Sequence, residues 1–145
     1  MPRLYCTREQ AKRAVRIDGT EFDSIIDRLI QAESAGIESD TRRNFIPITQ
    51  TRLFRWPTSV NKGVSLWLDA DLLSVSSLKT KAQDTTPTTI VAADYFLEPV
   101  NFSGPYDRIE IDLSSSAVFE SGDTPQRSIS VAGSWGYSNA TAPAG

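Results

Sequence analysis

The chain has 145 residues, of which 39% are hydrophobic and 23% are charged, and its formal net charge is −3. This composition is typical of a globular protein, and the length suffices for one self-supporting core. No apolar run approaches the roughly 18 residues of a membrane helix, and the N-terminus lacks the apolar core of a secretory signal. We therefore expect a soluble single domain, made in the cytoplasm and without contact to a membrane.

The residues that most enzymes and metal sites use are scarce. The sequence has no histidine, which is the usual general acid or base near neutral pH. Cys6 is the only cysteine, so an internal disulfide and a multi-cysteine zinc site are both excluded. The phosphate-binding pattern GxxxxGK[ST] and the dinucleotide pattern GxGxxG do not occur. We predict no catalytic residue, no cofactor and no metal.

Charge is distributed unevenly along the chain. Residues 1–55 contain ten Lys and Arg against eight Asp and Glu, a balance of +2. Residues 56–145 contain five against ten, a balance of −5. A protein that grips nucleic acid through its phosphates is normally basic. The acidic balance therefore argues against a primary nucleic-acid binder.

The N-terminal part has the pattern of two helices. Thr7 and Gln10 fit a capping box, which predicts a helix over residues 8–16 that ends before Asp18-Gly19. A second helix is predicted over residues 21–43, because apolar residues recur there at helical spacing: Phe22, Ile25, Ile26, Leu29, Ile30 and Ile37. The first four of them, Phe22, Ile25, Ile26 and Leu29, are expected to face a core. The small residues Ala32, Ala35 and Gly36 are expected to let another element pack closely.

The remainder of the chain has the two-residue period of β-strands. Alternation is clearest in RIEIDL at 108–113 and in residues 128–135. Weaker strand candidates are separated by turn-forming residues and lie at 51–56, 64–68, 72–79 and 89–97. The predicted fold class is therefore α+β: a helical lobe at 1–50, an antiparallel β lobe at 51–138 and a flexible tail at 139–145.

Two groups of residues are candidates for a protein interface. The first is a group of four cations within fourteen residues: Arg42, Arg43, Arg52 and Arg55. Arginine is favoured at protein interfaces, although solvated charge is an equal alternative. The second group is aromatic and comprises Trp56, Trp67, Trp135 and Tyr137, of which Trp56, Trp135 and Tyr137 are the interface candidates. Core packing is the favoured interpretation for Trp67 and Trp135, because large aromatic residues dominate buried area.

The order of several segments resembles one known family. These segments are YCTREQAKRAVRIDGTEFDSIIDRLIQAESAGIES, TRLFRWP, SLWLDADLLSVSSL, DYFLEP and SVAGSWGYS. Together they cover most of the chain and are similar to the head-to-tail connector, or adaptor, proteins of long-tailed double-stranded DNA bacteriophages. None of the segments is a catalytic signature, so the resemblance depends on their order. Similar sequences often continue beyond the WGYS-like segment into further helices, so a shortened or absent C-terminal arm is expected here.

The resemblance implies a structural role without enzymatic activity. Connector subunits form a ring, typically twelve-fold, beneath the portal and extend the channel through which DNA passes. The implied partners are the portal protein, identical subunits and tail-side completion or terminator proteins, while DNA crosses the lumen without specific binding. The implied location is the neck of the virion, after assembly in the cytoplasm of the bacterial host. The helical lobe would contact the portal or neighbouring subunits, and the β lobe would extend the ring.

Three alternatives remain open. Aromatic residues among many Ser and Thr also suit a small carbohydrate-binding β domain. A hydrolase could use paired carboxylates among Asp94, Glu98, Glu110 and Asp112, although alternation with apolar residues indicates a solvated strand face. The third alternative is a subunit of a neighbouring tail-completion ring in the same kind of phage, which sequence periodicity does not distinguish from the connector. Once both lobes are packed we expect no long exposed apolar stripe, and hence a mostly monomeric protein in the absence of a portal.

Overall fold

Two N-terminal helices precede an antiparallel sheet in the computed structural model, which describes residues 3–57, 63–139 and 143. The helices are α1, Arg8–Val15, and α2, Asp23–Thr41. The strands are β1 (Ile48–Phe54), β2 (Ser65–Thr80), β3 (Thr88–Ile90), β4 (Tyr95–Glu98), β5 (Tyr106–Ile111) and β6 (Ile129–Trp135). The predicted α+β fold is confirmed. Within the described ranges, none of the helices has the length and apolar character to cross a membrane.

Helix α1 begins at the predicted capping box. The Thr7 hydroxyl accepts a hydrogen bond from the Gln10 amide at 3.1 Å, and the Gln10 side chain accepts one from the Thr7 amide at 2.8 Å. Arg16 follows the last helical residue and takes the left-handed conformation that ends the helix. The sequence had predicted this conformation at Gly19, three residues later. Lys12 then fixes the turn to α2, because its ammonium group contacts the Gly19 carbonyl and lies 3.0 Å from Asp23.

Helix α2 buries only part of its apolar surface. Ile26 and Ile30 are buried, whereas Phe22, Ile25 and Leu29 are 50%, 50% and 56% exposed. The prediction that these last three face a core is wrong, and so is the expectation that no apolar stripe stays exposed. The reason is length: α1 has eight residues, about 12 Å, and covers one side of the nineteen-residue α2. A Cβ at Gly36 would meet no atom of another described element within 4 Å, so no such element packs closely there.

The sheet is organised around one long, bent strand. Its order is β1-β6-β2-β5-β4, with β3 paired to the end of β2. Strand β2 continues through the two segments predicted separately at 64–68 and 72–79, pairing with β5 first and with β6 afterwards. Leu72 lies at the change, opposite both Tyr106 and Trp135, and register shifts occur on either side of it. Such irregularities bend a strand, so the sheet curves around one apolar core of β-lobe residues.

The other predicted boundaries shift by a few residues. The segment predicted as one strand at 89–97 is interrupted by a single helical turn, Ala92–Asp94, between β3 and β4. Strand β1 begins at Ile48, three residues before the predicted start at residue 51. The link between the lobes is therefore shorter than predicted. Of the tail predicted at 139–145, residues 140–142, 144 and 145 lie outside the described residues.

Side chains from both ends of the helical lobe meet at the link between the lobes. Arg3 donates two hydrogen bonds to the Glu38 carboxylate, each of 2.7 Å, and the Tyr5 hydroxyl donates a third at 2.6 Å. The Tyr5 oxygen in turn accepts from the Phe45 amide at 3.1 Å. The Phe45 ring packs edge-on between the rings of Tyr5 and Tyr137. This network ties the N-terminal segment and α2 to the end of β6.

Replacing Glu38 should test this network. The hydrogen bonds from Arg3, and then that from Tyr5, lower the pKa of the Glu38 carboxyl. Its charge therefore stabilises the fold above the ordinary carboxyl range, and this stabilisation disappears as the pH falls through the lowered value. Glu38→Gln should reduce the free energy of unfolding by about 1 kcal/mol at neutral pH and by progressively less in acid. Thermal unfolding across pH measures this difference.

Glu33→Gln is the matched control, since Glu33 lies on the same helix, is exposed and has no ion pair among the described residues. A Glu38 variant that matched this control at every pH would contradict the proposed role of the network.

Candidate interface at the end of strand β6

Three of the four predicted interface arginines converge in space. Arg42, Arg43 and Arg52 line a shallow cleft of about 70 Å³ at the link between the lobes. Two carboxylates from β2, those of Asp69 and Asp71, line the same cleft. Arg55, the fourth predicted arginine, is not part of this lining; it is exposed just beyond the end of β1.

Two of these arginines have structural partners within the chain. The Arg43 Nε lies 3.6 Å from an Asp71 oxygen, and its guanidinium group stands 4.9 Å from the centroid of the Tyr137 ring. Arg52 donates to Asp69 at 3.3 Å and stands 5.1 Å from the centroid of the Trp135 ring. Within the described chain, Arg42 and Arg55 form no ion pair and are exposed. The predicted cluster thus divides into two internally paired cations and two that remain available.

The predicted interface aromatics also have different environments. Trp135 is 0% exposed, stacks on Phe54 and donates from Nε1 to the Gln50 carbonyl at 3.0 Å. Its prediction as an interface residue is wrong, and core packing, the favoured interpretation, is confirmed. Trp56 is half-buried and donates to the Phe119 carbonyl at 2.6 Å. Tyr137 keeps a large part of its ring exposed beside Arg43.

Trp67 was expected in the core, but it lies on the outer face of the sheet. It is 58% exposed, and the Arg108 guanidinium group stands 4.7 Å from its ring centroid. Phe96 is exposed as well. Alternation along β2 accounts for this position, because the buried residues Leu66 and Leu72 are an even number of positions apart and share a face, and Trp67 lies on the opposite one. The expectation of core packing was based on residue type, and here the strand period outweighs it.

Two open apolar surfaces of the molecule are not predicted from the sequence. A groove of about 590 Å³ runs between α1 and α2, and its walls include the exposed residues Val15, Leu29 and Ile37. The second surface is the β4–β5 loop, where Val100 and Phe102 are mostly exposed. The width of the apolar stripe on α2 was a usable signal for the groove, because a short partner helix covers only one side. The β4–β5 loop contains NFSGP at 101–105, whose turn-forming residues predict a turn but give no sign of an exposed apolar surface.

Three of the four carboxylates considered for hydrolysis, those of Glu98, Glu110 and Asp112, have local structural partners. Glu110 lies 3.0 Å from the Arg108 Nε, and Glu98 accepts a hydrogen bond from the Val100 amide at 2.8 Å. Asp112 accepts from the hydroxyl and the amide of Ser114, which lower the pKa of its carboxyl. A general acid needs a raised pKa, so this environment does not suit Asp112 for that role. In the part of the chain that the structure describes, no three metal-ligating side chains cluster.

Tryptophan fluorescence can check the two environments assigned to Trp67 and Trp135. Trp67→Phe should remove most of the emission that acrylamide quenches, because Trp67 is the most exposed of the three tryptophans. Trp135→Phe should instead remove emission at shorter wavelength that acrylamide does not quench, because Trp135 is buried. The Stern–Volmer slope of each variant is the measurement, and thermal unfolding controls for changes in the fold. Equal slopes for the two variants would contradict the assignment.

Comparison with known proteins adds no assignment: no family model, curated protein or solved structure matches this chain.

Proposed function

We propose that this chain is a structural subunit of the head-to-tail connector ring of a long-tailed double-stranded DNA bacteriophage. The observation that carries the proposal is the apolar surface left open on the helical lobe, where Phe22, Ile25 and Leu29 are at least half exposed. Large apolar patches on small soluble proteins mark sites of association. The order of sequence segments that resembles the connector family supplies the kind of assembly.

The two lobes suit different parts of such a ring. The helical lobe, with its open apolar surface, would contact the portal or a neighbouring subunit. The β lobe, whose residues 51–138 contain seven Lys and Arg against ten Asp and Glu, a balance of −3, would extend the channel. Negative charge on a channel wall repels the DNA backbone, so DNA would slide past without specific binding. The subunit would assemble in the host cytoplasm and remain at the neck of the virion.

Reconstitution with the portal tests the proposal. We expect the chain to form a ring on the portal, seen as a defined increase in mass by light scattering and as an added layer by electron microscopy. Many weak contacts would add together there, because the portal holds the subunits at high effective concentration. A chain that binds neither the portal nor the tail-side proteins would contradict the proposal. Binding to tail-side proteins alone would favour the neighbouring tail-completion ring.

A carbohydrate-binding domain is the second candidate, on the evidence of the exposed Trp67. Sugars stack on a free aromatic face, and Arg108 covers one face of this ring. A glycan array separates the two candidates. A carbohydrate-binding domain should give specific hits that Trp67→Ala abolishes, whereas the connector proposal expects no such hits.

Charge reversal should separate the available arginines from the paired ones. The double change Arg42→Glu and Arg55→Glu should weaken portal binding about tenfold, or about 1.4 kcal/mol, while leaving the unfolding temperature unchanged. Arg52→Glu should instead lower the unfolding temperature, since it places a carboxylate beside Asp69 and removes the cation over Trp135.

The matched control for the double change is Lys79→Glu with Arg127→Glu, two exposed cations away from the link. Equal loss of binding in both double variants would indicate a general effect of net charge and would contradict an interface at Arg42 and Arg55.

A further inference from the structure

The groove between α1 and α2 is an apolar surface that the chain itself leaves open. Ile26 and Ile30 form its floor, and Val15, Leu29 and Ile37 stand at its edges. Polar atoms are few in this lining; Glu33 contributes its charged side chain. A surface of this kind accepts a bulky apolar side chain. We call it the helical groove.

A convex apolar surface lies elsewhere on the same chain. The loop between β4 and β5, residues 99–105, exposes Val100 and Phe102, and Phe102 is 65% exposed. The loop is held by its own hydrogen bonds, from the Val100 amide to Glu98 at 2.8 Å and from the Phe102 amide to the Pro99 carbonyl at 3.4 Å. The fold therefore presents two bulky apolar side chains outward at a fixed place. We call residues 99–105 the hairpin tip.

The charges beside the two surfaces are complementary. Arg16 stands between Val15 and Ile17, both of which line the helical groove, and it is exposed. The hairpin tip is flanked by Glu98 and by the exposed Asp107. None of these three side chains has an ion pair among the described residues. Glu33 would oppose an acidic partner, so the acidic flank of the tip belongs at the Arg16 end of the groove.

We propose that the hairpin tip of one copy of this chain inserts into the helical groove of the next copy, with Asp107 facing Arg16. This contact rests on the proposed ring function and specifies how the subunits join. A closed ring requires two different, mutually complementary patches on every subunit. The groove and the tip are such a pair, whereas two grooves facing each other would form only a closed dimer.

Cross-linking through the native cysteine can detect this contact even when it is weak. Cys6 lines the helical groove and is the only cysteine of the chain, so Ser103→Cys adds a second thiol at the tip. A short bis-maleimide should then produce a ladder of dimers, trimers and larger species, because each copy uses both its groove and its tip. Leu29→Glu in the same chain should suppress the ladder by placing a charge in the groove.

Two controls separate this contact from random collision. Ser116→Cys places the thiol on an exposed loop outside the tip and should give no ladder. Cys6→Ser with Ser103→Cys should give dimers at most. A ladder no stronger than that of Ser116→Cys would overturn the proposal, while ring formation on the portal would still be judged by its own light-scattering experiment.

A charge exchange tests the orientation. Arg16→Glu and Asp107→Lys should each reduce the ladder several-fold, and the two changes together should restore it. Circular dichroism checks that each variant remains folded. A double variant that cross-links no better than either single variant would overturn the pairing of Asp107 with Arg16.

Discussion

Three consecutive residues at the end of β6 hold the two lobes together. Trp135 is buried in the core of the sheet, the Gly136 amide donates to the Asp71 carbonyl at 2.9 Å, and the Tyr137 amide donates to the Asn44 carbonyl at 2.7 Å. Gly136 is needed for this approach, because a Cβ there would lie 3.0 Å from the Pro47 Cα. The core, the bend of β2 and the link to the helices are therefore fixed by one short segment.

The arginines around this segment combine charge with packing. Arg43 and Arg52 each meet a carboxylate of β2 and each lie over an aromatic ring of the β6 end. A guanidinium group suits this position, since its flat face packs on a ring while its edge donates hydrogen bonds. These two side chains thus serve the fold. Arg42 and Arg55 lack such partners in the described chain, which makes them the better candidates for contacts with another protein.

The two lobes differ in how completely they bury their apolar residues. The curved sheet closes around residues such as Leu72, Ile109 and Val131, which are fully buried. The helical lobe has only two helices, and the shorter one cannot cover the wider apolar stripe of the longer one. A free monomer gains nothing from apolar side chains that remain in water. In the proposed ring a neighbouring chain would cover them and supply the missing burial.

The sequence by itself determined the local structure: the capping box at Thr7, the helical period of α2, the alternation of β5 and β6, and hence the α+β class. Each of these depends on residues close in the chain. Only the tertiary structure decided that Ile26 is buried while Leu29 is exposed, that the face of β6 carrying Trp135 is the one that meets the core, and that Asp69 pairs with Arg52. Burial and pairing depend on elements distant in sequence. Periodicity shows which residues share a face, but it does not show which face another element covers.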